Sequence, residues 1–305
     1  MTYERIDRNN VSRLRSRSAA SFGWISQVRW SPSGSMLAIA GGDGIALYLR
    51  SFGAAPTVRL TAHSAPVKDI AFSPDGKLLA SGSADTTIAL WQLLDSNALE
   101  IATLCGHDGS VDAVAFAPDG RLLASGGADG MIRLWDAASG ESLACLPGHS
   151  DEVTALAFYQ RGERLFSGGR DNRIFCWHLD ALQESTLLGE HDDWIRDLAG
   201  QPRSSILASA SKDMTIRLWP DGACGPIAIP AHAGGVDALA FSPDGGLLAS
   251  GGRDNMIRLW ASDSLDELCA VEGHSRPVLA LDFNPNGSML VSGGGDNRVN
   301  LWALA

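Results

Sequence analysis

Residues 106–135 read GHDGSVDAVAFAPDGRLLASGGADGMIRLW. This stretch predicts the fold, because similar sequences are repeated along the chain. Residues 231–260 (AHAGGVDALAFSPDGGLLASGGRDNMIRLW) and 273–302 (GHSRPVLALDFNPNGSMLVSGGGDNRVNLW) repeat it with few changes. Three further copies end at Trp91, Trp177 and Trp219. Such self-similarity predicts a repeat protein, in which each unit is one small structural element that stacks on its neighbours.

Three spacings recur in six copies. A histidine precedes an aspartate by 22 residues, a serine lies four residues before that aspartate, and a tryptophan lies six residues after it. The histidines are His63, His107, His149, His191, His232 and His274. A degenerate copy comes first, in which Ser21, Ile39 and Tyr48 replace the histidine, serine and tryptophan, and Asp43 remains. This first unit is expected to rely on apolar packing.

Within a copy, short apolar segments alternate with turn signals. VDAVAF is followed by APDG, which has proline and glycine where a tight turn needs them. RLLASGG and MIRLW predict a second and a third strand, and ESLACL predicts a fourth. One four-stranded sheet cannot bury both of its faces, so we expect neighbouring units to cover one another.

On these residues the chain resembles the WD-repeat β-propellers, over about residues 21–305. The resemblance implies an all-β fold: a seven-bladed β-propeller of four-stranded antiparallel blades, forming a single domain over residues 1–305. Its blades would start near residues 24, 63, 107, 149, 191, 232 and 274. The last copy ends at Trp302 without a fourth strand, so the family's usual closure implies that residues 1–20 are an arm and closing strand, with 11–18 as the strand. Alternatively, this arginine-rich start is a basic arm for a partner.

The recurring histidine, serine and aspartate raise the hypothesis of nucleophilic catalysis. A catalytic site needs one such set, whereas this chain has six. The resemblance implies instead that each set forms a buried hydrogen-bond chain that locks a blade, which would pair the buried polar groups. We therefore expect no enzyme activity, no catalytic residues, no metal site and no cofactor. Asp69 and Asp197 stand where alanine is usual, and they keep a channel-centred enzyme as an alternative.

Trp24 and Trp194 lie at the position three residues after the histidine site, where the repeat requires no aromatic residue. In WD-repeat proteins, three positions of each repeat usually contact partners on the narrow top face. They are the residue three after the histidine, the residue five after the histidine, and the residue just before the aspartate. The partner-binding residues implied are Trp24, Lys68, Arg170, Trp194, Arg196, Lys212 and Arg253.

Those from blades 4–6 form a basic, aromatic cluster, and such residues dominate binding hot spots. Asp112 and Asp237 are expected opposite this cluster, with Glu152 nearer. An acidic or phosphorylated ligand is favoured, because arginine grips carboxylates and phosphates bidentately. One variant has a basic peptide meeting these three acids. Another interpretation is that the cluster is an ordinary solvated surface, with Trp194 packed on a neighbouring loop.

The bulk composition limits the classes of partner. A net charge of −11 repels phosphate backbones, so nucleic-acid binding is not expected. Membrane binding is not expected either, because no run of apolar residues is long enough to span a bilayer. Five widely spaced cysteines predict reduced, buried thiols in a cytoplasmic protein.

The expected function is a non-catalytic scaffold or adaptor that binds a protein or peptide segment on the top face at blades 4–6. The propeller itself is expected to be monomeric. The alternative role is a sensor or regulatory module of a larger, bacterial protein.

Overall fold

Each of the first six repeats folds as one four-stranded antiparallel sheet, and the last repeat supplies three strands of a seventh sheet whose fourth strand comes from the N-terminal segment. The computed structural model describes residues 4–49, 55–95, 97–159, 162–180, 185–202, 204–221 and 225–305. Within these ranges the chain forms 28 strands in seven sheets and one short 3-10 helix, Val11–Arg13. The fold is the expected seven-bladed β-propeller.

The strands are numbered in chain order, and each blade runs from its innermost to its outermost strand. Blade 1 consists of β2 (Ile25–Trp30), β3 (Met36–Gly41), β4 (Gly44–Leu49) and β5 (Val58–Leu60). Blade 2 consists of β6 (Val67–Phe72), β7 (Leu78–Ser83), β8 (Thr87–Leu93) and β9 (Ala98–Cys105). Blade 3 consists of β10 (Val111–Phe116), β11 (Leu122–Gly127), β12 (Met131–Asp136) and β13 (Ser142–Pro147). Blade 4 consists of β14 (Val153–Phe158), β15 (Arg164–Gly169), β16 (Arg173–His178) and β17 (Ser185–Glu190).

The remaining blades follow the same plan. Blade 5 consists of β18 (Ile195–Gly200), β19 (Leu207–Ser211), β20 (Thr215–Trp219) and β21 (Ile227–Pro230). Blade 6 consists of β22 (Val236–Phe241), β23 (Leu247–Gly252), β24 (Met256–Ala261) and β25 (Glu267–Glu272). Blade 7 consists of β26 (Val278–Phe283), β27 (Leu290–Gly294), β28 (Arg298–Leu304) and, as its outer strand, β1 (Leu14–Ser21).

The N-terminal strand closes the ring. β1 pairs antiparallel with β28, from Leu14 opposite Leu304 to Ser21 opposite Arg298. The strand begins three residues later than the expected 11–18, because Val11–Arg13 turn to bury Val11 beside Ile6 and Leu14 in an apolar cluster with blades 6 and 7.

The segment before β1 packs on the propeller. The amide of Ile6 donates to the carbonyl of Gly287 at 2.9 Å. Arg5 and Arg8 form ion pairs with Asp244 and Asp263 of blade 6, at 2.5 and 2.9 Å. These two arginines therefore pair with the propeller's own acids, which favours the structural interpretation of the arm over a basic arm for a partner.

The apolar core lies between the blades. Ile88 and Leu90 of blade 2, for example, form one buried cluster with Val111 and Leu123 of blade 3. The blades approach so closely that a Cβ added at Gly126 would lie 2.5 Å from a methyl carbon of Val153 in the next blade, so only glycine fits there.

The expectation of buried thiols is correct for Cys176 alone among the described cysteines. Cys105 and Cys145 are exposed and Cys269 is half-buried, because all three lie on outer strands, whose outward faces no neighbouring blade covers completely. Cys224 lies outside the described residues. The described part of the chain contains no helix of the length and hydropathy that a membrane span requires.

Candidate functional site

The histidine, serine, aspartate and tryptophan of blades 2–7 form six buried hydrogen-bond chains. In blade 3, His107 Nδ1 lies 3.0 Å from the Asp129 carboxylate and Nε2 lies 2.8 Å from Ser125 Oγ, while Trp135 Nε1 donates to the same oxygen at 2.8 Å. The distance from histidine Nε2 to serine Oγ is 2.7–2.8 Å in all six. Each serine hydroxyl is buried and is engaged by two partners, so these sets hold the strands of each blade together.

The lock also sets protonation states. Burial lowers the pKa of His107, His232 and His274, which favours neutral rings. Burial alone would raise the pKa of Asp85, but the hydrogen bonds it accepts, from the Thr87 hydroxyl first, outweigh this and lower it to about 2. A neutral histidine that donates to an ionised aspartate is the pairing that these shifts favour.

Blade 1 has no such lock. Ile39 and Tyr48, which replace the serine and the tryptophan, are buried in an apolar cluster with Val28 and Phe22. Apolar packing therefore replaces the hydrogen-bond chain, as the sequence predicts.

Five polar residues face the central channel, which the innermost strands line. Gln27, Asp69 and Asp197 share one repeat position, and Arg29 and Asp282 share the position two residues further on. The other copies have alanine at both positions. Asp69 and Asp197 were expected here, whereas Gln27, Arg29 and Asp282, which depart from alanine in the same way, were not.

The channel carboxylates tie neighbouring blades together. Asp69 accepts hydrogen bonds from the amides of Ile70 and Val114, both at 2.9 Å, the second of which belongs to blade 3. Asp197 accepts from the amides of Leu198 and Leu239, both at 2.8 Å, and so joins blade 5 to blade 6.

Asp282 accepts from the amide of Trp30 at 2.7 Å and so joins blade 7 to blade 1. Burial raises the pKa of Asp69, and it raises the pKa of Asp197 and of Asp282 to about 6, although Arg29 opposes the shift in each. These bonds give the channel aspartates a structural role. Among the described residues no cluster of three or more His, Cys, Asp or Glu side chains could hold a metal ion.

The channel opens on the top face, the end that carries the residues just after the histidines, into a funnel of about 300 Å³. Four of the seven implied partner-binding residues line it: Trp24, Lys68, Arg170 and Arg196. Trp194, Lys212 and Arg253 lie outside the funnel lining, and they contact residues that line it or each other.

Trp194 is half-buried and packs against cations. The guanidinium carbon of Arg170 lies 4.6 Å from the centre of its ring, and Lys212 Nζ lies 4.3 Å from that centre. A cation over an indole ring contributes about 0.5–1 kcal/mol at an exposed site. Trp194 therefore belongs to the top face, as expected, but its ring already contacts neighbouring side chains.

The basic cluster contains its own counter-charges. Arg170 pairs with Glu152 at 2.9 Å, and Lys212 lies 3.6 Å from Asp193. Arg196 and Arg253 both pair with Asp237, at 2.9 and 3.1 Å. The expectation that Asp237 lies opposite the cluster is therefore wrong. Asp237 stands in blade 6 at the same repeat position as Arg196 in blade 5, which places the two side by side. Four cations face three carboxylates, an excess of one positive charge.

Trp24 lies apart from this cluster, on the blade 1 side of the funnel. Its side chain is 43% exposed, and Lys68 Nζ lies 5.3 Å from the centre of its ring. The structure thus divides the implied residues into two groups, one around Trp24 and one around Trp194.

Comparison with known proteins supports the repeat assignment. The family model described as "WD domain, G-beta repeat" matches residues 13–47, 55–92, 99–136, 140–178, 183–220, 226–261 and 266–303. Protein Mut11 of Chlamydomonas reinhardtii is 60% identical over 35 residues, which cover 12% of this chain and 10% of that protein. The match to this relative is thus limited to about a tenth of its length.

Proposed function

The chain belongs to the WD-repeat family, whose propellers generally serve as protein-interaction scaffolds, and from this premise we propose that it is a non-catalytic adaptor for a protein or peptide segment. The proposal places the binding site on the top face at blades 4–6. It also places the protein in the cytoplasm, where the exposed thiols of Cys105 and Cys145 would stay reduced.

The observation that carries the site is the sharing of one carboxylate by two guanidinium groups. The Asp237 side chain is only 2% exposed, and it holds Arg196 and Arg253 side by side. Because one carboxylate cannot satisfy both forks, each arginine keeps donors for a second acceptor. A carboxylate or phosphate group of a bound segment would supply that acceptor bidentately.

Binding would require little rearrangement. Arg253 is 41% exposed, so a ligand can reach it without opening the buried side of the pair. Trp194, held by Arg170 and Lys212, would supply a rigid apolar wall.

The test is a pull-down from the source proteome with the wild type, Arg196→Glu, the milder Arg253→Gln, and Arg121→Glu. Arg121 is exposed and outside the cluster, so its reversal controls for net charge. Circular dichroism should first show that all four proteins are folded.

We expect a partner that the wild type and Arg121→Glu retain and that both cluster variants lose. Its binding to the cluster variants should weaken by tenfold or more, since truncating one member of a desolvated charge pair costs roughly 2–5 kcal/mol. Phosphatase treatment of the extract separates phosphorylated from acidic segments. Equal retention by all four proteins would remove blades 4–6 as the site.

A further inference from the structure

The Trp24 side of the funnel has the chemistry of a cation site. Trp24 presents an exposed indole ring, and the Lys68 ammonium lies 5.3 Å from its centre. The electron-rich face of an indole attracts cations, and it does so best with tryptophan among the aromatic residues. Nothing in the repeat requires a tryptophan here, because five of the other six copies have proline, serine, glutamate or glycine at this position and only blade 5 has tryptophan, Trp194.

Two carboxylates line the same funnel. Asp112 and Glu152 line the same funnel as Trp24 and Lys68. Burial raises the pKa of both, and the nearby Lys68 is among the charges that oppose this rise. Asp112 is fixed by the Ser110 hydroxyl at 2.8 Å, and Glu152 is fixed by Arg170 at 2.9 Å. The two acids are therefore held in place, whereas Lys68 lies over the Trp24 ring on a flexible stem.

We propose that Trp24, Asp112 and Glu152 form a cation subsite that Lys68 fills in the free protein and that a lysine or arginine side chain of the partner fills in the complex. Lys68 would then swing into solvent. The contact that Lys68 would give up is a single cation–π contact with an exposed ring, so its displacement costs little. The proposal rests on the proposed function, because it gives the same bound segment a second anchor of opposite charge. The partner segment would carry a basic residue for Trp24 and an acidic group for Arg196 and Arg253.

The test follows the indole N–H resonances of the full-length protein by NMR during titration with two probes. One probe is an acetylated, amidated peptide of glycines around a single lysine, and the other has glutamate in place of the lysine. Trp24→Phe identifies the resonance of Trp24, and Trp194→Phe that of Trp194. The variants compared are Lys68→Ala and Lys77→Ala. Lys77 lies in the same blade and its side chain is 79% exposed. Its removal therefore gives the same net charge and leaves the cation subsite unchanged.

We expect the lysine peptide to shift the Trp24 resonance, and Lys68→Ala to bind it about two- to fivefold more tightly than Lys77→Ala, the range that a freed cation–π contact implies. Trp24→Ala should abolish binding at this subsite. Equal or weaker binding by Lys68→Ala would overturn the proposal. So would a Trp24 shift caused by the glutamate peptide and dependent on Lys68, because Lys68 would then be an anion ligand.

The two proposals fail separately. If the lysine peptide binds at Trp24 but the glutamate peptide leaves Trp194 unchanged and the cluster variants lose no partner, the cation subsite stands and the anionic site falls. If instead the lysine peptide leaves Trp24 unchanged, the glutamate peptide shifts Trp194 and the cluster variants lose their partner, only the proposed function of blades 4–6 remains.

Discussion

The serine hydroxyl is the centre of each blade lock. Ser209 Oγ lies 2.7 Å from His191 Nε2 and accepts from Trp219 Nε1 at 2.8 Å, in a position with no exposure to water. An alanine there would leave both ring nitrogens buried without a partner. Blade 1 avoids this penalty because its serine, histidine and tryptophan positions have all changed together.

We therefore expect Ser209→Ala to lower the free energy of unfolding by about 2–5 kcal/mol, since each buried polar group left unpaired costs roughly 1–3 kcal/mol. Urea denaturation measures this change. The exposed Ser150→Ala serves as the control and should change stability by less than about 0.5 kcal/mol. If Ser209→Ala lowered the free energy of unfolding no more than the Ser150→Ala control, the lock would contribute little to stability.

Asp197 should make stability depend on pH in a defined direction. Burial raises its pKa to about 6 in the folded protein, above the ordinary value of 3.8, so the folded state holds this proton where the unfolded chain has lost it. Its contribution to the free energy of unfolding therefore grows as pH falls through about 6, and it is lost as pH rises through that value.

Asp197→Asn removes this titration, and the comparison cancels the effects of other groups. The stability of the wild type relative to the variant should increase by about 1 kcal/mol between pH 7 and pH 5. Denaturant titrations at both pH values measure it. A relative stability that stays level or decreases on acidification would show that Asp197 has an ordinary or a lowered pKa.

The closing strand β1 is held by apolar contacts as well as by its hydrogen bonds to β28. Leu14 at the start of β1 is buried in the cluster that joins blades 6 and 7. Leu14→Ala should cost about 2–5 kcal/mol of stability, as for other buried leucines. Leu143→Ala is the matched control on the outer strand of blade 3, where the side chain is 50% exposed and the loss should be small. Equal losses from the two substitutions would mean that β1 is held by its hydrogen bonds alone.

The strands were predictable because their signals are local. Short apolar segments recur in every copy, turns with both proline and glycine recur in five of the seven, and the exact spacing fixes the register. The start of β1 was not predictable from local signals. It follows a 3-10 turn in which Val11 is buried against blades 6 and 7, a contact between distant parts of the chain. Likewise, the repeat position of Arg196 and Asp237 predicts that both lie on the top face. Their ion pair was not predicted, because it depends on how blades 5 and 6 pack together.

The inner ring of hydrogen bonds includes the blade that has no lock. Blade 1 lacks a lock, but its innermost strand is tied to both neighbours. The Ser26 hydroxyl donates to the carbonyl of Val67 at 2.8 Å, Gln27 donates to Asp69 at 3.1 Å, and Asp282 accepts from Trp30. The monomeric state of the propeller, and its alternative role as a sensor module of a larger bacterial protein, stay predictions.

The pairing of β1 with β28 has a consequence for biosynthesis. Among the strands of the propeller, the ribosome makes β1 first and its partner β28 last, so the nascent protein cannot complete blade 7 until Leu304 has emerged. At synthesis rates of about 5–20 residues per second, β1 waits roughly 15–60 s with its edge unpaired. A prematurely terminated chain never receives that partner. The exposed strand would mark such a product for chaperones and proteases, so that only full translation through the last repeat yields a protected ring.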